Sequence, residues 1–293
     1  MLALVGSRSY LSAAVSKWNP MNKFLRPAVL AVVVASLAIG PALAIELSPH
    51  RAVYSMNILS VRSNSDFVDI RGQMLLDWSD VCDGWTLNQR VKMIFTPREG
   101  KPLENEFSFS SWESKDGSRF RYTMLTVTNG NVVEEVNGRA TLTEAGGTAT
   151  FTLPEETEIA LPAGTLFPTE HLFLVVEKAL GGGNMVIRPL FSGTGLDGLH
   201  DTTAFIGPVI PPGGKPLLGE ADREPAILDL VERRSWPVAM AYFTSPGDHV
   251  EPEFEVHFRL MDNGVSSSMD LDYGSFSVRA LLDHLEIQPA PDC

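Results

Sequence analysis

The side chains able to do acid–base, nucleophilic or metal chemistry are few and scattered. Six histidines are present: His50, His171, His200, His249, His257 and His284. No two stand at the HExxH spacing that puts two imidazoles on one helix face around zinc. There is no GxSxG elbow and no SxxK pair to present a serine nucleophile. His200-Asp201 is the one suggestive couple. It follows Gly193-Thr194-Gly195-Leu196-Asp197-Gly198, a stretch that could hold an anion or calcium but lacks EF-hand spacing. A tight β-turn is the simpler expectation there. His257 falls on the polar side of an alternating segment, and His171 opens a helical one. Acidic pairs such as Glu134-Glu135, Glu155-Glu156 and Glu104 with Glu106 could serve a glycosidase only if two faced one cleft. Among 36 acids such pairs arise by chance. Trp78, Trp85, Trp112 and Trp236 could stack on sugar rings, but aromatic residues on strands ordinarily anchor a core. No Gly-rich nucleotide loop precedes a helix. No catalytic residue, cofactor or metal site is therefore expected.

Cys82 and Cys293 are the only thiols. Their meaning depends on compartment, which the N-terminus supplies. Met21-Asn22-Lys23-Phe24-Leu25-Arg26 is a short basic start, and Pro27 to Ile39 is apolar apart from Ser36. Gly40-Pro41 breaks the run, and Ala42-Leu43-Ala44 offers an A-x-A cleavage site. This pattern reads as a secretory signal peptide over residues 1–44, and it is too short to span a membrane. Translation is expected to start at Met21, since residues 1–20 add nothing to the signal. Residues 45–293 then form one exported domain without a membrane span. In an oxidising space two cysteines favour one disulfide, and the alternative is a pair of buried free thiols. Residues 1–44 carry Arg8, Lys17, Lys23 and Arg26 and no acid. Removing these four positive charges takes the net charge from −13 to −17. Such a chain is poorly suited to gripping nucleic acid or an anionic membrane face.

The elements that must position these residues are strands. Phe254, Val256, Phe258 and Leu260 alternate with Glu253, Glu255, His257 and Arg259, which is the period of a half-buried strand. Trp85–Phe95 alternates in the same way. Leu103–Trp112, Arg119–Thr128, Ala52–Val61, Phe67–Trp78, Val132–Leu142, Thr148–Leu153, Met185–Phe191, Thr202–Ile206, Val238–Thr244, Met269–Tyr273 and Phe276–Ile287 are further strand candidates. Asp116-Gly117, Asn129-Gly130, Gly146-Gly147 and Asn263-Gly264 separate them as hairpin turns. This is an all-β chain with a large antiparallel sheet, curled or closed. One segment differs. Pro168-Thr169-Glu170 opens a helix that runs to Leu180, with Leu172, Val175, Val176, Ala179 and Leu180 at helical spacing. Gly181-Gly182-Gly183 stops it. In an all-β fold such a helix plugs or lids the sheet. Leu172, Val175 and Val176, facing Phe254, Val256 and Phe258 across a concave sheet, are the candidate ligand or lid surface. The plain alternative is that they only fill a core. Ile206–Gly219 is Pro- and Gly-rich and reads as a surface loop.

Several segments carry a family resemblance. They are His50-Arg51-Ala52-Val53-Tyr54, Gly72-Gln73-Met74, Cys82-Asp83-Gly84-Trp85, Gly164 through His171, Trp236-Pro237-Val238 and the terminal Cys293. In this order, behind an export signal, they resemble the EipB cell-envelope integrity family of alphaproteobacteria across residues 45–293. The resemblance implies a periplasmic protein folded as a long β-spiral, an overtwisted open barrel of about fourteen strands with one buried helix near 168–180. It further implies a Cys82–Cys293 disulfide, a fold similar to periplasmic lipoprotein carriers, and a role in keeping the envelope intact under stress. It carries over no catalytic residues. The expected function is thus non-enzymatic, through a lipid, lipoprotein or protein partner of the envelope. A hydrolase with an unrecognised acidic or histidine site, and a purely structural interaction protein, are the alternatives.

Overall fold

Side chains that alternate between core and solvent set the strands. In the first, His50, Ala52, Tyr54 and Met56 are buried while Arg51 and Asn57 are exposed. The computed structural model describes residues 45–63, 65–215, 218, 224–245, 251–289 and 291–293. The expected signal segment, residues 1–44, lies outside them. Eight strands come first: β1 (His50–Val61), β2 (Phe67–Asp80), β3 (Gly84–Pro97), β4 (Leu103–Ser114), β5 (Arg119–Thr128), β6 (Asn131–Thr143), β7 (Gly146–Leu153) and β8 (Thr157–Leu161). Helix α1 (Pro168–Leu180) leads to β9 (Met185–Phe191) and β10 (Leu199–Ile206). Helix α2 (Pro225–Val231) leads to β11 (Ser235–Thr244), β12 (Phe254–Met261), β13 (Ser266–Asp272) and β14 (Phe276–Ile287).

All fourteen strands belong to one antiparallel sheet. β1 pairs with both β2 and β14, so the two ends of the domain meet in mid-sheet. The sheet edges are β8 and β9, which are consecutive in the chain and flank α1. Leu166, just before α1, bridges in parallel to Leu190 and covers part of the β9 edge. The expected all-β fold and its helix are thus present. Gly117, Gly130 and Gly264 take positive φ at three expected hairpin turns, where a β-carbon would be strained. The fourth turn falls at Glu144-Ala145, and Gly146 already starts β7.

Three features differ from the sequence reading. β8 was not anticipated: five residues between Glu155-Glu156 and Pro162 are too few to show a period. α2 is a second helix beside the single expected one; its Ile227 and Leu230 pack with Tyr54, Ile70 and Leu282. β10 starts at Leu199 instead of Thr202, so His200 and Asp201 lie in a strand and not in a turn.

The inner face gathers three apolar clusters. One joins β1, β2, β14 and α2. A second is aromatic, with Phe120, Tyr122, Phe151, Phe167 and Phe191 in edge and stacked contacts. The third packs α1, through Val175, Val176 and Ala179, on Val186, Ala204, Val238 and Leu260.

Cys82, in the β2–β3 turn, is bonded to Cys293, with a Cα–Cα distance of 5.9 Å and a separation of 211 residues. The tail before it is also held. Gln288 donates to Asp77 Oδ1 at 2.7 Å and accepts from Ser79 Oγ at 2.7 Å. Opening this ring frees nearly the whole domain in the unfolded state. Cys82→Ser should therefore lower the unfolding free energy by up to about 5 kcal/mol on the loop-entropy estimate, read by denaturant titration. Equal stability of variant and wild type would contradict that constraint.

Candidate functional site

Where the three clusters meet, they leave a cavity of about 220 Å³ under the first turn of α1. His50 and Tyr54 of β1, Leu76 and Trp78 of β2 and Leu87 of β3 form one wall. Thr169 and Leu172 of α1 form the roof, and Ser266 and Met269 of β13 close the far side. The period of β1 and β2 brings these residues inward. His50 and Tyr54 share a face, as do Leu76 and Trp78. Trp78 stacks on Trp85 at 4.6 Å between ring centroids, and Trp85 contacts Phe173 of the helix at 5.5 Å. Lys115 Nζ stands 3.2 Å from the Trp85 ring centroid and pairs with Asp80.

The polar groups in the wall are already engaged. Tyr54 Oη donates to the Ser266 carbonyl at 2.9 Å, and burial pushes its phenol upward, so it stays neutral. His50 Nδ1 donates to the Ser48 carbonyl at 2.8 Å, and burial holds its imidazole below the ordinary range. The lining is therefore apolar and uncharged at neutral pH. Such a surface suits an alkyl group and offers no nucleophile poised by a base.

Helix α1 is held over this cavity by one carboxylate. Glu113 of β4 is 2% exposed. It accepts the backbone N–H of Thr169 at 2.8 Å and of Glu170 at 2.9 Å. Pro168 has no N–H, and His171 N donates to the Phe167 carbonyl, so every free donor of the first turn is satisfied. The cap residue Phe167 gives no side-chain cap; the sheet supplies it from 56 residues earlier. Charge there also meets the positive end of the helix dipole. Burial nevertheless pushes the Glu113 carboxyl up to about 7.

The predicted ligand surface is partly brought together. Leu172 roofs the cavity. Val175 and Val176 are fully buried against Leu260 and Val238. Phe258 packs at the margin of that same cluster. Val256 is half-buried beside Met240 and Leu271. Phe254 lies at the far end of β12, stacked on Tyr242 at 4.1 Å and edge-on to His200. The sequence reading missed His50, Tyr54, Trp78 and Glu113 as site residues. The shared face of His50 and Tyr54 was a legible signal. So was Glu113, the one acid on the Phe107, Phe109, Ser111 face.

The His200-Asp201 couple does not form. Successive residues of a strand point to opposite faces; His200 is buried and Asp201 exposed. His171 is buried, with Nε2 3.2 Å from Thr202 Oγ1. Burial pulls its imidazole down to about 4. Among the described residues no group of three or more His, Cys, Asp or Glu has metal-site geometry. No described helix is long and apolar enough to cross a membrane.

Because Glu113 titrates near 7 in the fold and at 4.5 ordinarily, the native state keeps a proton that the unfolded chain has lost. Its contribution to stability is full below about 4.5 and falls as pH rises through 7. The stability difference between wild type and Glu113→Gln should therefore change by up to about 3 kcal/mol between about pH 4.5 and 8. Parallel stability–pH curves would refute the assignment.

Comparison with known proteins fits this architecture. The EipB-like family model matches residues 41–289. The chain is 28% identical over 255 residues to the cell envelope integrity protein EipB of Brucella abortus (strain 2308), covering 85% of this chain and 88% of that protein. A crystal structure from Brucella abortus, described as a β-barrel-like protein of a domain of unknown function, superposes with a TM-score of 0.75 at 27% identity. It covers 84% of this chain and all of the other. The family match spans the whole fourteen-strand sheet and both helices, and the chain belongs to the EipB-like family.

Proposed function

We propose that this protein is an exported, periplasmic, non-enzymatic factor for cell envelope integrity, and that it acts by holding an alkyl group of a lipid or lipoprotein in the cavity under α1. The role in envelope integrity rests on the similarity to Brucella EipB. The binding mode rests on one observation: an apolar, uncharged cavity roofed by a helix whose end is fastened through a single titratable carboxylate.

Size supports a lid. An apolar cavity of roughly 150 Å³ takes a benzene ring, and pockets for larger ligands run from about 300 Å³ upward. At about 220 Å³ the space holds a short alkyl segment. A longer chain enters only if Leu172 and the first turn of α1 move outward. The half-buried Leu172, Phe173 and Leu174 make that motion less costly than lifting Val175 and Val176 out of the core.

Native mass spectrometry of protein purified from the periplasm tests this. The wild type should carry lipid-sized adducts. Leu172→Trp, which fills the cavity from its roof, should lose them while its circular dichroism stays that of the β fold. Wild type free of adducts, or adducts retained in full by Leu172→Trp, would remove the carrier reading and leave a structural role.

A further inference from the structure

The outer face of β4–β7 carries a basic cleft that the cavity account does not use. Trp112, Arg121 and Arg139 are direct cross-strand neighbours on β4, β5 and β6. The Arg121 guanidinium carbon lies 4.3 Å from the Trp112 ring centroid, within cation–π reach. Arg121 and Arg139 face each other, both exposed. Like charges directly opposite destabilise a strand pair. Neither side chain makes a hydrogen bond or ion pair with a described residue. Several other cations on the sheet are matched by acids: Arg51 with Asp77 and Glu286, Lys92 with Glu104 and Glu106, and Arg279 with Asp270. In a chain of net charge −13, acids to neutralise Arg121 and Arg139 are not scarce. The cleft they line measures about 550 Å³ and contains no acid; Ser110, Thr123 and Asn137 supply its neutral polar groups.

We infer that this cleft binds an acidic glycan, a saccharide bearing carboxylate or phosphate groups. The two guanidiniums take the acid groups through their planar forks. The hydroxyls of Ser110 and Thr123 and the Asn137 amide take sugar hydroxyls. The volume is larger than a single small anion needs, and the mixed lining is unlike an acyl-chain site. An extended acidic peptide fits less well. β4, β5 and β6 are paired on both sides, so no free strand edge is present for backbone pairing. The anion also relieves the repulsion between Arg121 and Arg139.

The test is calorimetric titration of the intact exported protein. Three acidic saccharides serve as probes: trigalacturonic acid, the carboxylated muramyl disaccharide and a hexose phosphate. Maltotriose is the neutral control; hexaglutamate and inorganic phosphate are the non-sugar acids. At least one acidic saccharide should bind, with maltotriose about tenfold weaker or worse. Arg121→Gln and Arg139→Gln should each weaken binding about tenfold, equivalent to about 1.4 kcal/mol, with the melting temperature unchanged or raised. Which saccharide binds separates a carboxylate source from a phosphate source. Three results would overturn the inference: no acidic saccharide binds, hexaglutamate or phosphate binds as tightly as the saccharides, or both variants bind like the wild type.

Discussion

The two hydrogen bonds from the backbone of Thr169 and Glu170 to the buried Glu113 carboxylate are the contact on which the site depends. A fourteen-strand sheet that curls without closing leaves β8 and β9 as edges. Exposed edges invite pairing with other chains. Here the intervening segment pairs Leu166 with β9 and then turns inward as α1. A helix turned inward brings unpaired N–H groups with it, and a buried unpaired donor costs about 1–3 kcal/mol. Glu113 removes that cost and fixes where the helix begins. The position of Leu172 over the cavity follows from it.

The rest of the sheet supports this geometry from the opposite side. β1 pairs with β14 and β2, placing His50, Tyr54, Leu76 and Trp78 on one inner surface. The Cys82–Cys293 bond and Gln288 hold the tail to the end of β2. The wall of the cavity thus includes β2, whose end is tied to the tail, and its roof is an element held by a titratable group. On the proposed lid reading the roof moves while the wall stays fixed. Cavity and basic cleft lie on opposite faces of the sheet, apolar within and cationic without. An envelope component with both an alkyl and an acidic saccharide part would meet each with matching chemistry.

Much of the fold was legible in the sequence because alternation is a local signal. β12 showed it through Phe254 to Leu260, and α1 through its 3.6-residue spacing, Pro168 and the glycines after Leu180. β8 was not legible, since five residues flanked by Glu156 and Pro162 carry too little pattern, and its strand state comes from pairing with β7. α2 was hidden because seven residues after a Pro-rich loop show barely two turns. His200-Asp201 was misplaced because a Gly-rich stretch suggested a turn, whereas β9 and β11 recruit both residues into β10. Of the residues predicted for the site, only Leu172 lines the cavity, while Val175 and Val176 are core beside it. Cavities arise where clusters from distant strands fail to fill space, and one chain's pattern contains no term for that. Glu113 is the one acid on its face of β4, but its partners on α1 depend on how the sheet curls.

If the first turn of α1 is a lid, it opens independently of the sheet and of the buried second half of the helix. Native-state hydrogen exchange measures this directly, since helix amides report their own opening free energy. Amides of residues 169–174 should exchange by an opening clearly less costly than global unfolding, while those of residues 175–180, β1, β2 and β14 exchange only with it. Adding a short-chain lipid should slow the amides of residues 169–174 selectively. If the amides of residues 169–174 and of the sheet exchange together at the global free energy, with or without lipid, the first turn is part of a single core and α1 is no lid.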